Sequence, residues 1–233
     1  MSQQLALPLD GADSETGSTL PARLALRAAT EGGAPFDDGA YFFEPWWPGA
    51  HAWLRRSGDR LEIRSEHLSD PLAAFPELRS LGAQLSADEV VVEGTLLALD
   101  ADGRPDVGLL RRRLGGIPRP NDHGEGAFVA SDLLYLDARS LKGQPFSARR
   151  ERLANVLADS DHCVLSRGLV AEGVTMGHAV AALGLDAISA RRLDARWRPG
   201  MAGDAWLHIA VSDEPAKPTR PFLVLLEKLP LGE

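Results

Sequence analysis

The sequence predicts an α+β domain of two antiparallel sheets with flanking helices, and three observations carry that prediction. Short extended segments follow one another across hairpin-like turns. Only a few stretches show helical periodicity, and no regular strand–helix–strand alternation of a doubly wound parallel sheet runs through the chain. At 233 residues, with 44% hydrophobic and 25% charged positions, the chain is large enough for one large or two small domains with a real core.

The elements follow in order. Residues 41–47 and 50–56 read as extended, and the turn Ser57-Gly58-Asp59 leads into a strand carrying Leu61 and Ile63. Pro76 opens a predicted helix with Leu78, Leu81 and Leu85 on one face. The β-branched run 89–99 reads as a strand ending in the turn 100–103; a short helix over 106–114 and a strand over 127–136 follow. Ser147 is placed as the N-cap of a helix burying Leu153, Val156 and Leu157. Thr175 is placed as the cap of another, with Met176, Ala179, Val180 and Leu183 at helical spacing and Gly184 as its stop. Residues 185–192, 205–211 and 222–227 read as strands. The expected organisation is a tail over 1–19, a folded domain over 20–211, and a strand and tail over 212–233.

Composition excludes several classes. No apolar run approaches the ~18 residues of a membrane helix, and no basic residue precedes the short apolar run near the N-terminus, so neither a membrane span nor a secretory signal is expected. Cys163 is the only cysteine, which leaves no internal disulfide and no paired-cysteine metal site. A cytoplasmic protein is the expectation. The balance of 25 basic against 33 acidic residues, net −8, argues against a generic electrostatic nucleic-acid binder. The only lysines are Lys142, Lys217 and Lys228.

Read together, several segments resemble the adenylation (nucleotidyltransferase) domain of ATP-dependent DNA ligases. The family's E-P-K-[WY]-D-G-x-R segment is matched by EPWWPGAH from Glu44 to His51. Its D-G-E strand and following D-G-[KR]-P turn are echoed by Glu93-Gly94-Thr95 and Asp102-Gly103-Arg104-Pro105. SDLLYLDA, beginning at Ser131, matches F-D-L-L-Y-L-D-G, with Arg149 and Arg150 beyond it. DAISARRLD, beginning at Asp186, stands for E-G-[VI]-V-x-K-R-x-D, and Trp197-Arg198-Pro199-Gly200 and WLHIA from Trp206 complete the collinear set. Ser65 and Phe75-Pro76-Glu77-Leu78 fall between in the family's order.

The departures fall on the chemistry. The resemblance implies a lysine amine that attacks the α-phosphate of ATP, a metal, and cations supporting pyrophosphate. The lysine slot holds Trp46, the aspartate slot Pro48, and the arginine slot His51; the metal carboxylate is Thr95. The later lysine slots hold Arg191, His208 and Ala210. No catalytic residue and no metal ligand is therefore assigned, and neither ATP nor magnesium is required unless a histidine, His51 or His208, serves as nucleophile in a divergent active enzyme. Glu44, Glu93, Asp186 and Arg191 are the candidates for a non-covalent nucleotide or phosphate contact, as in a nucleotide sensor, with a structural ion pair at Arg191 as the alternative. Full ligases of the family add an oligonucleotide-binding (OB) barrel after this domain. With only 212–233 after the matched region, no barrel and no unaided nick sealing are expected.

At the amino terminus, Gln4-Leu5-Ala6-Leu7-Pro8-Leu9 resembles the hexapeptide by which bacterial repair proteins bind the sliding clamp. Gln4 suits a backbone hydrogen bond, Leu5, Leu7 and Leu9 suit apolar pockets, and Pro8 lowers the ordering cost. The polar stretch 11–19 would act as its tether. The alternative is a leucine-rich tail with no partner. Other features have bland readings beside sharp ones. Trp46, Trp47 and Trp53 stack on bases or fill a pocket, with Trp46 read as a plug in the nucleotide space. Arg111-Arg112-Arg113 and Arg149, Arg150 and Arg152 contact phosphate or form solvated faces. Asp122, His123 and Glu125 fit no standard metal spacing and read as surface loop. The resulting expectation is a ligase-like protein without lysyl-adenylate chemistry. It would be an accessory in DNA replication, recombination or repair, partnered by the sliding clamp and by DNA or another repair protein.

Overall fold

The computed structural model describes residues 27–65, 71–115 and 123–230. The peptide from Gln4 to Leu9 lies outside the described residues, as do the tail 1–19 and Asp122. Two short strands, β1 (Arg27–Ala28) and β2 (Thr30–Glu31), precede β3 (Asp37–Pro45), β4 (Ala50–Ser57) and β5 (Arg60–Arg64). A short helix α1 (Pro71–Ala74) and a 3-10 turn over Pro76–Gln84 lead to β6 (Glu89–Asp100), α2 (Val107–Leu114), β7 (Gly124–Leu136) and β8 (Arg139–Ser140). Then come α3 (Phe146–Val156), β9 (Cys163–Leu165), β10 (Leu169–Glu172), α4 (Gly173–Ala182), β11 (Ala187–Arg192), β12 (Gly200–Met201), β13 (Trp206–Ala210) and α5 (Phe222–Lys228). Among the described residues, no helix is long and apolar enough to cross a membrane.

The strands form two main sheets. One has the order β5-β4-β6-β7-β8 with β9 beside β7; the other runs β10-β3-β11-β13-β2. Pairing is antiparallel except for β7 with β9 and β13 with β2. A separate parallel pair joins β1 to β12. The predicted α+β class with two largely antiparallel sheets is what the chain adopts.

Alternation along β6 explains how one strand serves both a core and a site. Val90, Val92, Leu96 and Ala98 point into a core with Leu78, Leu109, Phe128 and Leu153. Leu97 and Leu99 face a second core with Phe43, Val129, Ile188 and Val180. Glu93 and Thr95 share the parity of the second set and face the space between the sheets. Gly94 is required at the crossing, because a Cβ there would run into the Val129 carbonyl and the Phe128 ring. The ladder shifts register between Glu93 and Gly94.

Four local expectations are corrected. Residues 222–227 form helix α5, whose Phe222, Leu225 and Leu226, followed by Leu229, enter the second core at helical spacing. That segment is therefore packed with the main domain. Ser147 does not cap α3, which starts after Pro145; the Ser147 amide instead donates to the Leu193 carbonyl at 2.9 Å. Thr175 lies inside α4, and the missing cap comes from another element, Asp37, whose Oδ1 accepts from the Val174 amide at 2.9 Å. Leu78 and Leu81 are buried on a 3-10 turn, while Leu85 sits past its end in a bridge to Leu157. Gly184 does terminate its helix, with φ +77°.

Candidate functional site

Strand register assembles the site. In the second sheet Ser189 lies between Glu44 and His208, and Arg191 between Phe42 and Trp206. In the first sheet His51 pairs with Thr95, and Glu93 stands between Trp53 and Asp132. The faces carrying Glu44, Ser189 and Arg191 on one sheet and Glu93, Thr95 and Ser131 on the other meet across a cleft.

Arg191 fills the centre of that cleft. Its Nε donates to Glu44 Oε1 at 2.7 Å, its Nη2 to Ser131 Oγ at 3.0 Å, and its Nη1 lies 3.7 Å from Glu93 Oε1. The guanidinium stacks on the Trp206 ring at 4.2 Å, and Trp206 Nε1 donates to Ser189 Oγ at 2.8 Å. Burial works against the charge on Arg191, but Glu44, Glu93 and Asp132 outweigh it and hold the group protonated. Glu93 is equally enclosed. Burial would raise its carboxyl; the hydrogen bond and charge of His51 (3.0 Å to Nε2), then Arg191 and the Trp197 indole, bring it down to about 2.

The space enclosed behind Trp46 and beside the Arg191–Glu44 pair is small. A cavity of about 40 Å³ remains beside Glu44, Trp46, His51, Thr95, Ser131 and Arg191, against about 300–1,000 Å³ for an ordinary small-molecule site. A nucleotide does not fit it. The divalent-ion chemistry of the family does not fit either: Thr95 contributes only a hydroxyl, and Glu44 and Glu93 already hold Arg191 and His51. Among the described residues no cluster of three His, Cys, Asp or Glu side chains could hold a metal.

Glu44, Trp46, His51, Glu93, Thr95 and Arg191, all singled out from sequence, therefore meet at one place, and one edge of Trp47 reaches the same cavity. Trp46 sits at the mouth, 4.6 Å from the His208 ring and 5.7 Å from that of Trp206. His208 faces an outer groove, its Nδ1 held by Glu31 at 2.9 Å. Pro48 and Ala210 line neither space, Ala210 ending β13 opposite Ala187. Asp186 does not join the cleft; its Oδ2 accepts from the Ala216 amide at 3.0 Å and ties down the segment leading to α5. None of the three lysines lines the cleft, and Lys142 packs over the Tyr135 and Trp197 rings.

Other candidates resolve into structure. Trp47 is buried against Phe222 and Trp53 against Val91, Leu134 and Trp197, so neither offers a face to a base. Arg149 is fully enclosed and bidentate to Asp132, at 2.7 and 2.6 Å, with the Gln144 and Ala195 carbonyls as further acceptors. Arg150 covers the Phe42 ring and donates to the Ser166 carbonyl. Arg113 lies over the Phe75 ring and donates to the Gly124 carbonyl, whereas Arg111 is exposed. His123 and Glu125 are on the surface, Glu125 being 3.8 Å from His162 Nδ1. Sequence reading missed Asp132 as the partner of Arg149, and Arg27 altogether.

No protein-family model matches the chain. It is 31% identical over 205 residues, 84% of its length, to a DNA ligase of Thermococcus fumicolans, and 28% identical over 80% of its length to the multifunctional non-homologous end joining protein LigD of Mycolicibacterium smegmatis. The chain spans 37% and 24% of those relatives. A solved structure of mycobacterial DNA ligase D, complexed with ATP and MES, superposes with a TM-score of 0.66 at 29% identity, covering 80% of this chain and 60% of that one. Sequence and fold agree on the same assignment, so the chain belongs to the ATP-dependent DNA ligase family through an adenylation-domain fold.

Proposed function

We propose that this domain is a pseudo-ligase: an accessory in DNA repair or replication that keeps the adenylation fold without adenylate transfer. The observation that carries the reading is the cleft itself. An indole stands in the nucleophile slot, and the space behind it is occupied by the Arg191–Glu44 ion pair instead of being open to a nucleotide. A nucleophile here needs an unhindered pair of electrons near a bound phosphate, and electrostatic support as charge develops on the transferred group. His51 is committed to Glu93, and the two carboxylates are neutralised from within the protein. Neither ATP nor magnesium is required in this reading. The relatives are named as DNA ligases and end-joining proteins, which supports DNA as the setting in which the domain works.

Recruitment is assigned to Gln4, Leu5, Leu7 and Leu9 binding the bacterial sliding clamp. Pull-down on purified clamp is expected to retain the native chain and to lose Leu7→Ala/Leu9→Ala; equal retention of both removes that assignment.

A second reading has one observation in its favour. Glu31 holds Nδ1 of His208, an orientation that leaves Nε2 for another role. Incubation with α-labelled ATP and Mg²⁺ or Mn²⁺ separates the two. The pseudo-ligase reading expects no labelled protein, and label abolished by His208→Ala or His51→Ala would establish a histidine enzyme in its place.

A further inference from the structure

The closed cleft opens onto a groove of about 730 Å³ floored by Trp46, Trp206 and His208 and flanked by Arg27 and Arg111. A second groove of about 340 Å³ continues from Arg27 to Arg196, Arg198 and Met201. Arg27 belongs to both. The parallel pairing of β1 with β12 sets it opposite Gly200, and the Ala202 amide locks the same corner by donating to the Ala28 carbonyl at 2.9 Å.

Arg27 is the anomaly of the molecule. Its side chain is withdrawn from solvent, with the residue only 3% exposed. Among the described residues it makes no salt bridge, and its Nε has no hydrogen-bond partner. The Trp206 ring lies 5.8 Å from its guanidinium carbon. Burial, reinforced by the charge of Arg191, outweighs the carboxylates of Glu93 and Asp132, which lie beyond salt-bridge distance, and lowers it to about 10. An enclosed cation with no carboxylate in direct contact is costly, and the fully enclosed Arg149 has Asp132 against it. Charges around it are otherwise matched: Glu31 holds His208, and Asp194 and Asp204 both hold Arg192. Along the two grooves Arg27, Arg111, Arg196 and Arg198 have no salt bridge among the described residues.

We propose that the two grooves form one track for single-stranded DNA, with Arg27 as the phosphate anchor at their junction and Trp46 and His208 as the stacking platform. Unpaired bases present a π-face to such a platform, whereas a duplex keeps its bases stacked on each other and offers only backbone. The track lies outside the closed cavity and transfers no group. It rests on the reading that the domain works at DNA, but not on the fate of ATP.

The test is fluorescence anisotropy of a labelled oligothymidylate titrated with the full chain, with no nucleoside triphosphate present, so the labelled-ATP result stands independently. Arg27→Met is expected to weaken binding about tenfold or more, since a charged hydrogen bond to phosphate is lost, without lowering Tm, because the residue removed is an unpaired buried cation. Should that variant fold poorly, the exposed pair Arg196→Ala/Arg198→Ala decides. It is expected to reduce the slope of log Kd against log salt by about 1.4, from about 0.7 per phosphate contact on single strands. Trp46→Ala is expected to cost about tenfold, and Arg220→Ala, outside the track, to change nothing. Equal binding by wild type and the Arg27 and Arg196/Arg198 variants overturns the proposal. So does a duplex of the same length bound as tightly, or thymidine monophosphate competing as well as the oligomer.

Discussion

Replacing Arg191 with methionine tests whether the cleft is held shut by charge. Arg191 and Glu44 are 2.7 Å apart, and both are almost wholly excluded from water. Methionine keeps most of the volume and removes the cation. Glu44 is then left with the Ser189 hydroxyl at 3.4 Å as its hydrogen-bond partner, and its Oε2 has none to begin with. Removing one partner of such a pair costs about 3–5 kcal/mol, a large share of the about 5–15 kcal/mol of a typical domain. Urea unfolding followed by tryptophan emission reads the effect directly, because Trp206 and Trp197 both belong to the network. Arg191→Met/Glu44→Gln, which removes both charges and retains the shape, is expected to regain most of the loss. A cost below about 1 kcal/mol for Arg191→Met, or a double variant as poor as the sum of its parts, refutes the view that this pair organises the cleft.

Three further outcomes follow from the same structure. The Glu93 carboxyl falls from 4.5 to about 2 on folding, so the stability it contributes is present above pH 4.5 and lost as the pH falls towards 2. The shift corresponds to about 3 kcal/mol, and Glu93→Gln should remove that component of acid denaturation measured by circular dichroism. Leu225→Ala empties part of the core beneath α5 and is expected to cost about 2–5 kcal/mol in urea unfolding; no change would show that 222–229 does not belong to the domain. Cys163 is buried, with its thiol pushed up to about 12 by burial and Asp159, so a thiol reagent should label it only under denaturant.

Most of the fold was legible because the strands alternate and the turns carry their own signals. The β6 run and the turn after it are examples. What was lost is long-range. The segment FLVLLE has a single polar position, at its end, too little to show a period, so its apolar run reads as extended; only its neighbours in the core decide that Phe222, Leu225 and Leu226 lie on one helical face. The caps of α3 and α4 escaped for the same reason, since Leu193, just past β11, and Asp37 in β3 supply the partners from distant parts of the chain. In the site, motif order located Glu44, Trp46, His51, Glu93, Thr95 and Arg191 correctly as neighbours. It could not show that Arg191 turns inward onto Glu44, nor that Arg149 is the buried mate of Asp132 instead of one charge on a wet helix face. Arg27 carried no signal at all: an arginine in a two-residue strand is conspicuous only when it is seen to be enclosed with no carboxylate in contact.

The contents of the cleft lead to one more expectation, for Trp46→Lys. Restoring the amine in the nucleophile slot supplies the attacking atom but none of its surroundings. The new ammonium would stand among the rings of Trp206 and His208, with Thr95 where a carboxylate is needed. The about 40 Å³ behind it is still closed by Arg191. If filling of the cavity is what excludes the nucleotide, Trp46→Lys will take no label from α-labelled ATP, and neither will Trp46→Lys/Thr95→Glu. Only variants that also remove Arg191 and relieve Glu44 would reopen the space. Label on Trp46→Lys alone would mean that a nucleotide displaces the Arg191–Glu44 pair readily, and that loss of the lysine, rather than closure of the cleft, silences the domain.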